Sequence, residues 1–447
     1  MKRLLYKQLL AWKAQDNRKP LLLQGARQVG KTYLLKEFAK NEYTDCAYFN
    51  FEQTPELGKL FDSSLDPRIL IEALAAFTGR KIQPGSTLIF FDEIQAFPRA
   101  ITSLKYFCED APQYHIVSAG SLLGVSVGKP SGFPVGKVNF MTLYPMTFFE
   151  YLAAQNQNSL LTLLEEKKIT EPLLEPFHEK LTRLFKYYLY TGGMPEVVRD
   201  YMNNRDIEKV RGLQNEILNA YRRDFSKYST PTEAIRVSEV WQSIPIQLAR
   251  ENKKFKYSDV TKGGRASRLE TAIEWLRKAG LIHTVYNIKT PKLPLAGYID
   301  RAKFKIYMVD PGLLGALLEV PSKVIILGDQ LFSEYNGAFI ENYVANELIA
   351  AGESGGIFYW TSKSEAEVDF VLSIDGTVYP LEVKGGLSRR VKSLRVYAEK
   401  YRPRRVFRAS PRNFTEDGDL INIPLYAVSL LPGSEIVQRH LKRLVKS

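Results

Sequence analysis

The stretch that decides the fold reads Leu21-Leu22-Leu23-Gln24-Gly25-Ala26-Arg27-Gln28-Val29-Gly30-Lys31-Thr32, and Tyr33-Leu34-Leu35-Lys36-Glu37-Phe38 follows it. The apolar run, the spacing G-x-x-x-x-G-K-T and the helical spacing after it predict a strand, a phosphate-binding loop and a helix. Backbone N–H groups of such a loop converge on the phosphates of a nucleotide at the N-terminus of the helix. We expect Gly25 to Thr32 to bind a nucleotide, with Lys31 at the β- and γ-phosphates and the Thr32 hydroxyl on Mg²⁺. A glycine turn beside a surface lysine is the alternative.

A second apolar run, Thr87-Leu88-Ile89-Phe90-Phe91-Asp92-Glu93, ends in two acids. A continuous apolar stretch that ends in an acid is typical of a buried parallel strand at its carboxyl edge. We predict that Asp92 holds the Mg²⁺ of the nucleotide and that Glu93 polarises the water that attacks the γ-phosphate. Two exposed acids at the end of a strand are the alternative.

A third strand is predicted over Tyr114-His115-Ile116-Val117-Ser118-Ala119-Gly120-Ser121. A polar side chain at its end could reach the γ-phosphate or the attacking water, and both Ser121 and Ser118 qualify. A small residue in a tight turn explains either serine equally well. His115 at the start of the strand is interpreted as structural.

Composition narrows the class of protein. The chain has 447 residues, of which 45% are hydrophobic and 25% charged, and this length predicts roughly three domains. No apolar run is long enough to span a bilayer, and Met1-Lys2-Arg3-Leu4 lacks a signal-peptide core, so we expect a cytoplasmic protein without membrane partners. The two cysteines have no disulfide or metal-ligand spacing. The net charge of +13 favours polyanionic partners, although a basic proteome or solubility alone would also explain it.

Residues 205 to about 300 have the pattern of a helical module with a basic end. Helical segments are followed by Gly263-Gly264 and by Arg265-Ala266-Ser267-Arg268-Leu269, which begins a helix of the recognition type. In a helix-turn-helix the N-terminal residues of such a helix enter the major groove of DNA. The candidate DNA contacts are Lys262, Arg265, Ser267 and Arg268. The alternative is a winged helix that only packs domains together or binds protein.

The C-terminal third combines a helix bearing Glu341 with a predicted hairpin that turns at Asp375-Gly376. Asp369 on one strand and Glu382-x-Lys384 on the next are similar to the PD-(D/E)XK nuclease superfamily. That resemblance implies that Asp369 and Glu382, with Glu341 as an optional third ligand, hold one or two Mg²⁺ ions, and that Lys384 orients the nucleophile. A cross-strand ion pair is the alternative, and many related folds bind without cutting.

A run of cations follows the hairpin. Next to a phosphate site it suggests a track for the DNA backbone, whereas charge runs elsewhere are usually solvated faces. Its members are Arg389, Arg390, Lys392, Arg395, Lys400, Arg402, Arg404, Arg405, Arg408 and Arg412.

Taken together, the motifs resemble a group of AAA-type ATPases of bacteria and archaea that carry a C-terminal domain of unknown function related to nucleases. The matching stretches are Gly25 to Thr32, Phe91-Asp92-Glu93-Ile94-Gln95, Gly120-Ser121-Leu122-Leu123, Leu143-Tyr144-Pro145-Met146-Thr147-Phe148-Phe149-Glu150-Tyr151 and Tyr187 to Glu196. The resemblance implies an α/β fold with a P-loop ATPase core at 1–150, a helical lid at 151–204, a winged-helix module at 205–300 and a restriction-endonuclease-like α/β domain at 301–447. It also implies ATP and Mg²⁺ as cofactors and a homo-oligomer, with a hexameric ring as one option.

One departure from the family concerns the loop before Leu143. Relatives often carry an arginine there, whereas this chain reads Phe133-Pro134-Val135-Gly136-Lys137-Val138. A lysine is a point charge without the bidentate geometry of a guanidinium, so Lys137 predicts slower hydrolysis if the arginine serves as a finger. A solvated loop lysine is the alternative.

Two functions follow from the sequence. The first is an ATPase that couples ATP binding and hydrolysis to DNA binding or remodelling, with Mg²⁺-dependent nuclease activity as an option. The second is a nucleotide-controlled switch or scaffold whose nuclease fold is inactive.

Overall fold

The computed structural model describes residues 1–120, 134, 136–227, 229–250, 253–322, 336–352, 356–362, 366–374, 376–386 and 392–431. The chain forms two compact units. The N-terminal unit comprises Arg3–Tyr144 and Lys278–Gly280, and the C-terminal unit comprises Met1–Lys2, Pro145–Arg277 and Leu281–Ser447. The first unit therefore ends close to residue 150, where the sequence predicts the end of the ATPase core.

The N-terminal unit is an α/β domain around a parallel sheet. Its strands are β1 (Leu21–Gln24), β2 (Asp45–Asn50), β3 (Thr87–Asp92), β4 (His115–Ala119) and β5 (Asn139–Thr142). They lie in the order β2-β3-β4-β1-β5, and each described pairing is parallel. Its helices are α1 (Tyr6–Lys13), α2 (Lys31–Glu42), α3 (Leu57–Ser63), α4 (Pro67–Thr78) and α5 (Pro98–Asp110). The strands and helices predicted around the loop and the paired acids are thereby confirmed.

Apolar side chains on both faces of β3 place this strand in the interior of the N-terminal unit. Every residue of β3 is buried, as a central parallel strand requires. Phe91 contacts Phe49, Phe51 and Phe61, with ring centroids 5.6 to 6.0 Å apart. Because β3 is covered on both sides, its polar end, Asp92, can only emerge at the carboxyl edge of the sheet.

The C-terminal unit begins with helices. They are α6 (Phe148–Ala154), α7 (Asn158–Glu165), α8 (Glu175–Thr191), α9 (Pro195–Asn204), α10 (Ile207–Lys227), α11 (Pro231–Leu248) and α12 (Ala266–Lys278). Phe225 of α10 packs edge-on against Trp241 of α11 and Trp275 of α12, at 6.0 and 5.3 Å between centroids. These contacts join the three helices of the module predicted at 205–300. None of the described helices combines the length and apolar composition that crossing a bilayer requires.

A mixed sheet completes this unit. Its strands are β6 (Ile282–Ile288), β7 (Ile299–Met308), β8 (Ile357–Thr361), β9 (Glu367–Ile374), β10 (Thr377–Val383), β11 (Val406–Ser410), β12 (Thr415–Asp417) and β13 (Leu420–Pro424). The helices beside it are α13 (Pro311–Leu317), α14 (Asn336–Ala350) and α15 (Lys392–Tyr401). The described strands lie in the order β12-β13-β11-β10-β9-β8-β6-β7.

Two features of this sheet bear on the sequence predictions. β9 and β10 pair antiparallel from Thr377 opposite Ile374, which confirms the predicted hairpin, although Asp375 lies outside the described residues. The β6–β7 hairpin joins the same sheet because β6 pairs with β8 in parallel, from Tyr286 to Ile288. The domain boundary predicted at 300/301 falls inside β7, so one sheet extends across both predicted modules.

A buried carboxyl between α6 and α14 gives the C-terminal unit a pH-dependent stability. Glu347 is 2% exposed, and its Oε1 accepts from the Phe148 N–H at 2.8 Å, while Tyr188 and Glu150 lie nearby. Burial raises the pKa of Glu347 from 4.5 to about 8, with the charge of Glu150 adding to the effect. The folded state therefore binds more protons than the unfolded state between about pH 4.5 and 8, and stability is lost as pH rises through this window.

Replacement of Glu347 by glutamine removes the loss of folding stability at high pH, because glutamine carries no titratable group. We expect Glu347→Gln to be more stable than the wild type at pH 9, by on the order of 2–4 kcal/mol, and to show no such advantage at pH 5. Urea unfolding at both pH values checks this, with the exposed Glu179→Gln as the matched control. Equal pH profiles for Glu347→Gln and the wild type would contradict the assignment.

Candidate nucleotide site and C-terminal carboxylate cluster

The predicted phosphate loop joins β1 to α2 in a conformation that needs glycine at two points. Gly30 caps α2 at φ 94°, in the left-handed region. Gly25 has φ 152°, and a Cβ there would lie 2.2 Å from the carbonyl oxygen of Leu143. Between them Ala26 and Val29 are buried, Arg27 is half-buried and Gln28 is exposed. The loop thus presents backbone at the N-terminus of α2, where an anion is stabilised.

Lys31, the first residue of α2, lies under this loop. Its side chain is only 8% exposed, and its Nζ donates to the carbonyls of Gly25 at 3.0 Å and Ala26 at 2.8 Å. Burial lowers the pKa of Lys31 to about 8, against the opposing charges of Glu93 and Asp92. An anionic ligand would therefore find a largely desolvated ammonium group beside the loop amides.

Asp92 at the end of β3 faces the start of α2. Its Oδ1 accepts from the Thr32 hydroxyl at 3.2 Å and from the Glu93 N–H at 3.2 Å, and its Oδ2 accepts from the Tyr48 hydroxyl at 2.8 Å. A hydroxyl and a carboxylate held together beside a phosphate loop are the oxygen donors that Mg²⁺ prefers. Thr32 and Asp92 therefore fit the predicted Mg²⁺ of a nucleotide.

Glu93 follows Asp92 with a left-handed backbone, at φ 52°. Its Oε2 accepts a hydrogen bond from the Gln95 side-chain amide. Sequence reasoning assigned no role to Gln95 or to Tyr48. The two-residue spacing from Glu93 was a sequence signal for Gln95. The contact of Tyr48 with Asp92 depends on the pairing of β2 with β3, which places Asn50 opposite Asp92, and the sequence gives no signal for it.

The two alternative serines have different outcomes. Ser118 lies in β4 opposite Phe91 of β3, fully buried, and its hydroxyl finds no hydrogen-bond partner among the described residues. Ser121 lies outside the described residues. Ser118 therefore does not lie in a tight turn, and a sensor role for either serine stays a prediction.

Lys137 and His115 have local partners. Lys137 forms an ion pair with Glu109 of α5 at 2.9 Å, and the bond raises the pKa of the lysine. The Nδ1 of His115 lies 2.8 Å from the Tyr43 hydroxyl, and burial lowers the pKa of this histidine to about 4. A histidine that stays neutral in a packed contact agrees with the structural interpretation.

In the C-terminal unit, Glu341 and Asp369 come together around a lysine that sequence reasoning did not single out. The Nζ of Lys305 lies 3.5 Å from Glu341 Oε2 and 3.9 Å from Asp369 Oδ1, and it also contacts Glu367. Lys253 forms a second ion pair with Glu341. We call Glu341, Glu367, Asp369, Lys253 and Lys305 the carboxylate cluster.

The contacts of Glu382 are different. Its Oε1 pairs with Lys384 Nζ at 2.7 Å, and its buried Oε2 has no hydrogen-bond partner among the described residues. Burial raises the pKa of Glu382, while Lys384 and Arg408 oppose the rise. Across the described ranges no group of three or more His, Cys, Asp or Glu side chains is arranged to hold a metal ion. The predicted Mg²⁺ site of Asp369, Glu382 and Glu341 remains a prediction.

The candidate DNA contacts lie around the start of α12. Lys262, Arg265, Ser267 and Arg268 are all exposed, whereas Leu269 on the same helix is buried. Of the later cations, Arg408 is buried and its Nε donates to Asn422 at 2.7 Å. Arg389 and Arg390 lie outside the described residues.

Three family models match separate stretches of the chain. Residues 17–152 match a family model described as an AAA domain. This stretch, which carries the loop Gly25–Thr32 and the acids Asp92 and Glu93, is therefore similar to AAA domains. Residues 182–324 and 336–427 match two domains of unknown function, DUF8612 and DUF4143.

Among curated proteins, the chain is similar to uncharacterized proteins of Mycobacterium bovis and Mycobacterium tuberculosis. Each is 33% identical over 98 residues, which is 21% of this chain and 21% of the relative. The match thus spans about a fifth of the length of these relatives.

Among solved structures, the chain is similar to a Walker-type ATPase of Pyrococcus abyssi (15% identity, 70% of this chain and 94% of that chain, TM-score 0.40). It is also similar to Cdc6p of Pyrobaculum aerophilum (13% identity, 72% and 93%, TM-score 0.25). A third is the ORC1 protein of Aeropyrum pernix in complex with DNA (16% identity, 71% and 91%, TM-score 0.27).

Proposed function

We propose that this protein binds Mg-ATP at the loop Gly25–Thr32 and hydrolyses it. The observation that carries the proposal is the meeting of three groups at one sheet edge. The first group is the Lys31 ammonium at the N-terminus of α2, and the second is the Thr32 hydroxyl with the Asp92 carboxylate 3.2 Å away. The third is the carboxylate of Glu93, the residue after Asp92. Phosphate chemistry needs these three functions, namely charge neutralisation, metal ligation and activation of water.

Each side chain has a separate task in this proposal. The loop amides and Lys31 bind the triphosphate oxygens, and Thr32 and Asp92 hold Mg²⁺. When bound, Mg²⁺ supplies positive charge to the β- and γ-phosphate oxygens. The Glu93 carboxylate orients the attacking water and accepts its proton, and Gln95 positions that carboxylate through its hydrogen bond. Tyr48 and the Glu93 N–H keep Asp92 in place.

Release of phosphate from ATP by the full chain tests this proposal. We expect turnover in the presence of Mg²⁺ and none after the divalent ion is removed with EDTA. Binding of ATP without Mg²⁺-dependent release of phosphate would remove hydrolysis from the function and leave binding alone.

We further propose DNA as the partner of the C-terminal unit. The net charge of +13 supports a polyanion, and Lys262, Arg265 and Arg268 are exposed around the first turn of α12. The α10–α12 helices followed by the β6–β7 hairpin have the element order of a winged helix, in which the first turn of the third helix contacts DNA. Contacts to backbone phosphates dominate such binding and make it dependent on salt.

The double variant Arg265→Ala/Arg268→Ala tests the DNA contact. We expect it to bind duplex and forked DNA more weakly, and the slope of log Kobs against log salt concentration to become less negative by about 2. Fluorescence anisotropy over a salt series measures both quantities. The control Arg68→Ala/Lys168→Ala removes the same charge from two exposed surface pairs.

Equal slopes for the two double variants would show that DNA is attracted by net charge alone. Absence of DNA binding by the wild type at low salt would remove DNA as a partner. This test of DNA binding is independent of ATP turnover, because the proposed ATP site lies in the N-terminal unit.

A nucleotide-controlled switch is the second candidate function, and the geometry of Lys137 favours it. Lys137 forms an ion pair with Glu109 of its own chain at 2.9 Å. Its charge is therefore engaged locally and does not replace the arginine that relatives often carry in this loop. Slow turnover would then let bound ATP or ADP set the state of assembly. Mass photometry with ATP and with ADP, each with and without DNA, separates a switch from a rapid ATPase. Homo-oligomers, including a hexameric ring, and DNA cleavage remain predictions.

A further inference from the structure

Lys305 lies in an unusual place for a lysine. It stands in the middle of β7 between the buried residues Phe304 and Ile306, and its own side chain is 0% exposed. A lysine is almost never fully buried unless an opposite charge compensates it. The partners of Lys305 must therefore explain why this position carries a cation.

The partners are carboxylates from two elements. Glu341 belongs to α14. Glu367 and Asp369 lie two residues apart on β9, so their side chains are on the same face of that strand. Their nearest oxygens lie 3.5 Å (Glu341) and 3.9 Å (Asp369) from Lys305 Nζ, and Glu367 is in direct contact. One ammonium group is thus common to all three carboxylates.

The remaining contacts in the carboxylate cluster complete the environment of this ammonium. Glu341 also pairs with Lys253 and accepts from the Tyr307 hydroxyl at 3.2 Å. Asp369 accepts from the Val383 N–H at 2.8 Å. The three carboxylates of the cluster are therefore surrounded by two ammonium groups and two uncharged donors, all of which belong to the chain itself.

This arrangement does not suit a divalent cation. Mg²⁺ binds carboxylate oxygens at 2.0–2.1 Å and would have to lie among the same oxygens that surround Lys305 Nζ. It would also meet the positive charges of Lys305 and Lys253 at close range. We propose that the Lys305 ammonium takes the place of a divalent metal ion in the carboxylate cluster, so that this domain is stabilised by a cation built into the chain.

The proposal has two consequences that can be measured without nucleotide. The wild-type cluster binds no divalent ion, and removal of the Lys305 ammonium opens the cluster to one. A lysine-to-methionine change keeps the length of the side chain and removes its charge. The three carboxylates would then keep only the Lys253 ammonium as an opposite charge, and a divalent ion can supply the two positive charges that are missing.

The experiment measures Mn²⁺ binding to the nucleotide-free full chain by electron paramagnetic resonance, with thermal unfolding in parallel. We expect wild type and Asp369→Asn to give the same Mn²⁺ binding curve. We expect Lys305→Met to melt at a lower temperature, to regain stability when Mn²⁺ is added, and to gain one Mn²⁺ site. The double variant Lys305→Met/Asp369→Asn should lose that site again. Lys384→Met, which removes a lysine outside the cluster, is the matched control and should gain none.

Two results would overturn the proposal. One is a Mn²⁺ site in the wild type that Asp369→Asn removes, which would mean that the cluster already holds metal beside Lys305. The other is a folded Lys305→Met protein that gains no Mn²⁺ site. If Lys305→Met does not fold even with Mn²⁺, the comparison of wild type with Asp369→Asn still decides. None of these outcomes depends on ATP hydrolysis, so the proposal and the ATPase function fail independently.

Discussion

Glu93→Gln is expected to lower kcat for ATP hydrolysis by about 10²–10⁴-fold while ATP binding stays within about twofold of the wild type. Glutamine has the shape of glutamate but accepts no proton, so the attacking water loses its base. The contacts of Asp92 with Thr32 and Tyr48 do not involve the Glu93 side chain and should persist. Substrate binding is therefore kept while the chemical step is lost.

Phosphate release under single-turnover conditions, together with titration of a fluorescent ATP analogue, separates the two effects. Glu56→Gln is the matched control, since it neutralises an exposed glutamate of the same unit. A Glu93→Gln protein with a kcat within threefold of the wild type would exclude this residue as the base. If Glu93→Gln weakened ATP binding as much as it lowered kcat, Glu93 would instead be a residue that contacts the bound nucleotide.

Lys31→Ala is expected to weaken ATP binding by on the order of 10²-fold and to bring hydrolysis below detection. The variant removes a cation that is 8% exposed, and a charge in such a site interacts with phosphate far more strongly than one at the surface. The control is Lys40→Ala on the same helix, whose side chain is exposed. Retention of full affinity and turnover by Lys31→Ala would remove the basis of the nucleotide site.

The pH dependence of binding gives a second test of the same residue. Burial lowers the pKa of Lys31 to about 8, so the free protein loses this positive charge as pH rises above that value. Because a phosphate is bound by the ammonium form, wild-type ATP affinity should fall about tenfold per pH unit beyond pH 8. Lys31→Ala, which has no group to titrate at this position, should show no such decline. Isothermal titration calorimetry from pH 7 to 10 measures the difference.

The sequence predicted the N-terminal unit well because its evidence is local. The run Leu88 to Phe91 is apolar throughout, as a strand covered on both faces must be, and Asp92 marks its carboxyl edge. Gly30 and Lys31 are adjacent to the helix that they begin. Nothing in these predictions required knowledge of contacts between distant parts of the chain.

The carboxylate cluster could not be predicted in the same way. Lys253, Lys305 and Glu341 meet only after the sheet and α14 have formed, and their separation in sequence carries no pattern. A signal for Lys305 was nevertheless present, since Phe304-Lys305-Ile306-Tyr307-Met308 places one cation in an apolar strand. A charge in such a run indicates a buried partner, although it does not say which one.

The pairing of β6 with β8 determines where this protein can be divided. A truncated protein that starts at residue 301 would lack β6 and the first two residues of β7, and it would leave unpaired the edge of β8 that faces β6, while β8 stays paired with β9. Exposed strand edges of this kind recruit other chains, so such a fragment should precipitate. Expression of the region that matches DUF4143 therefore calls for a start before Ile282, so that the β6–β7 hairpin is kept.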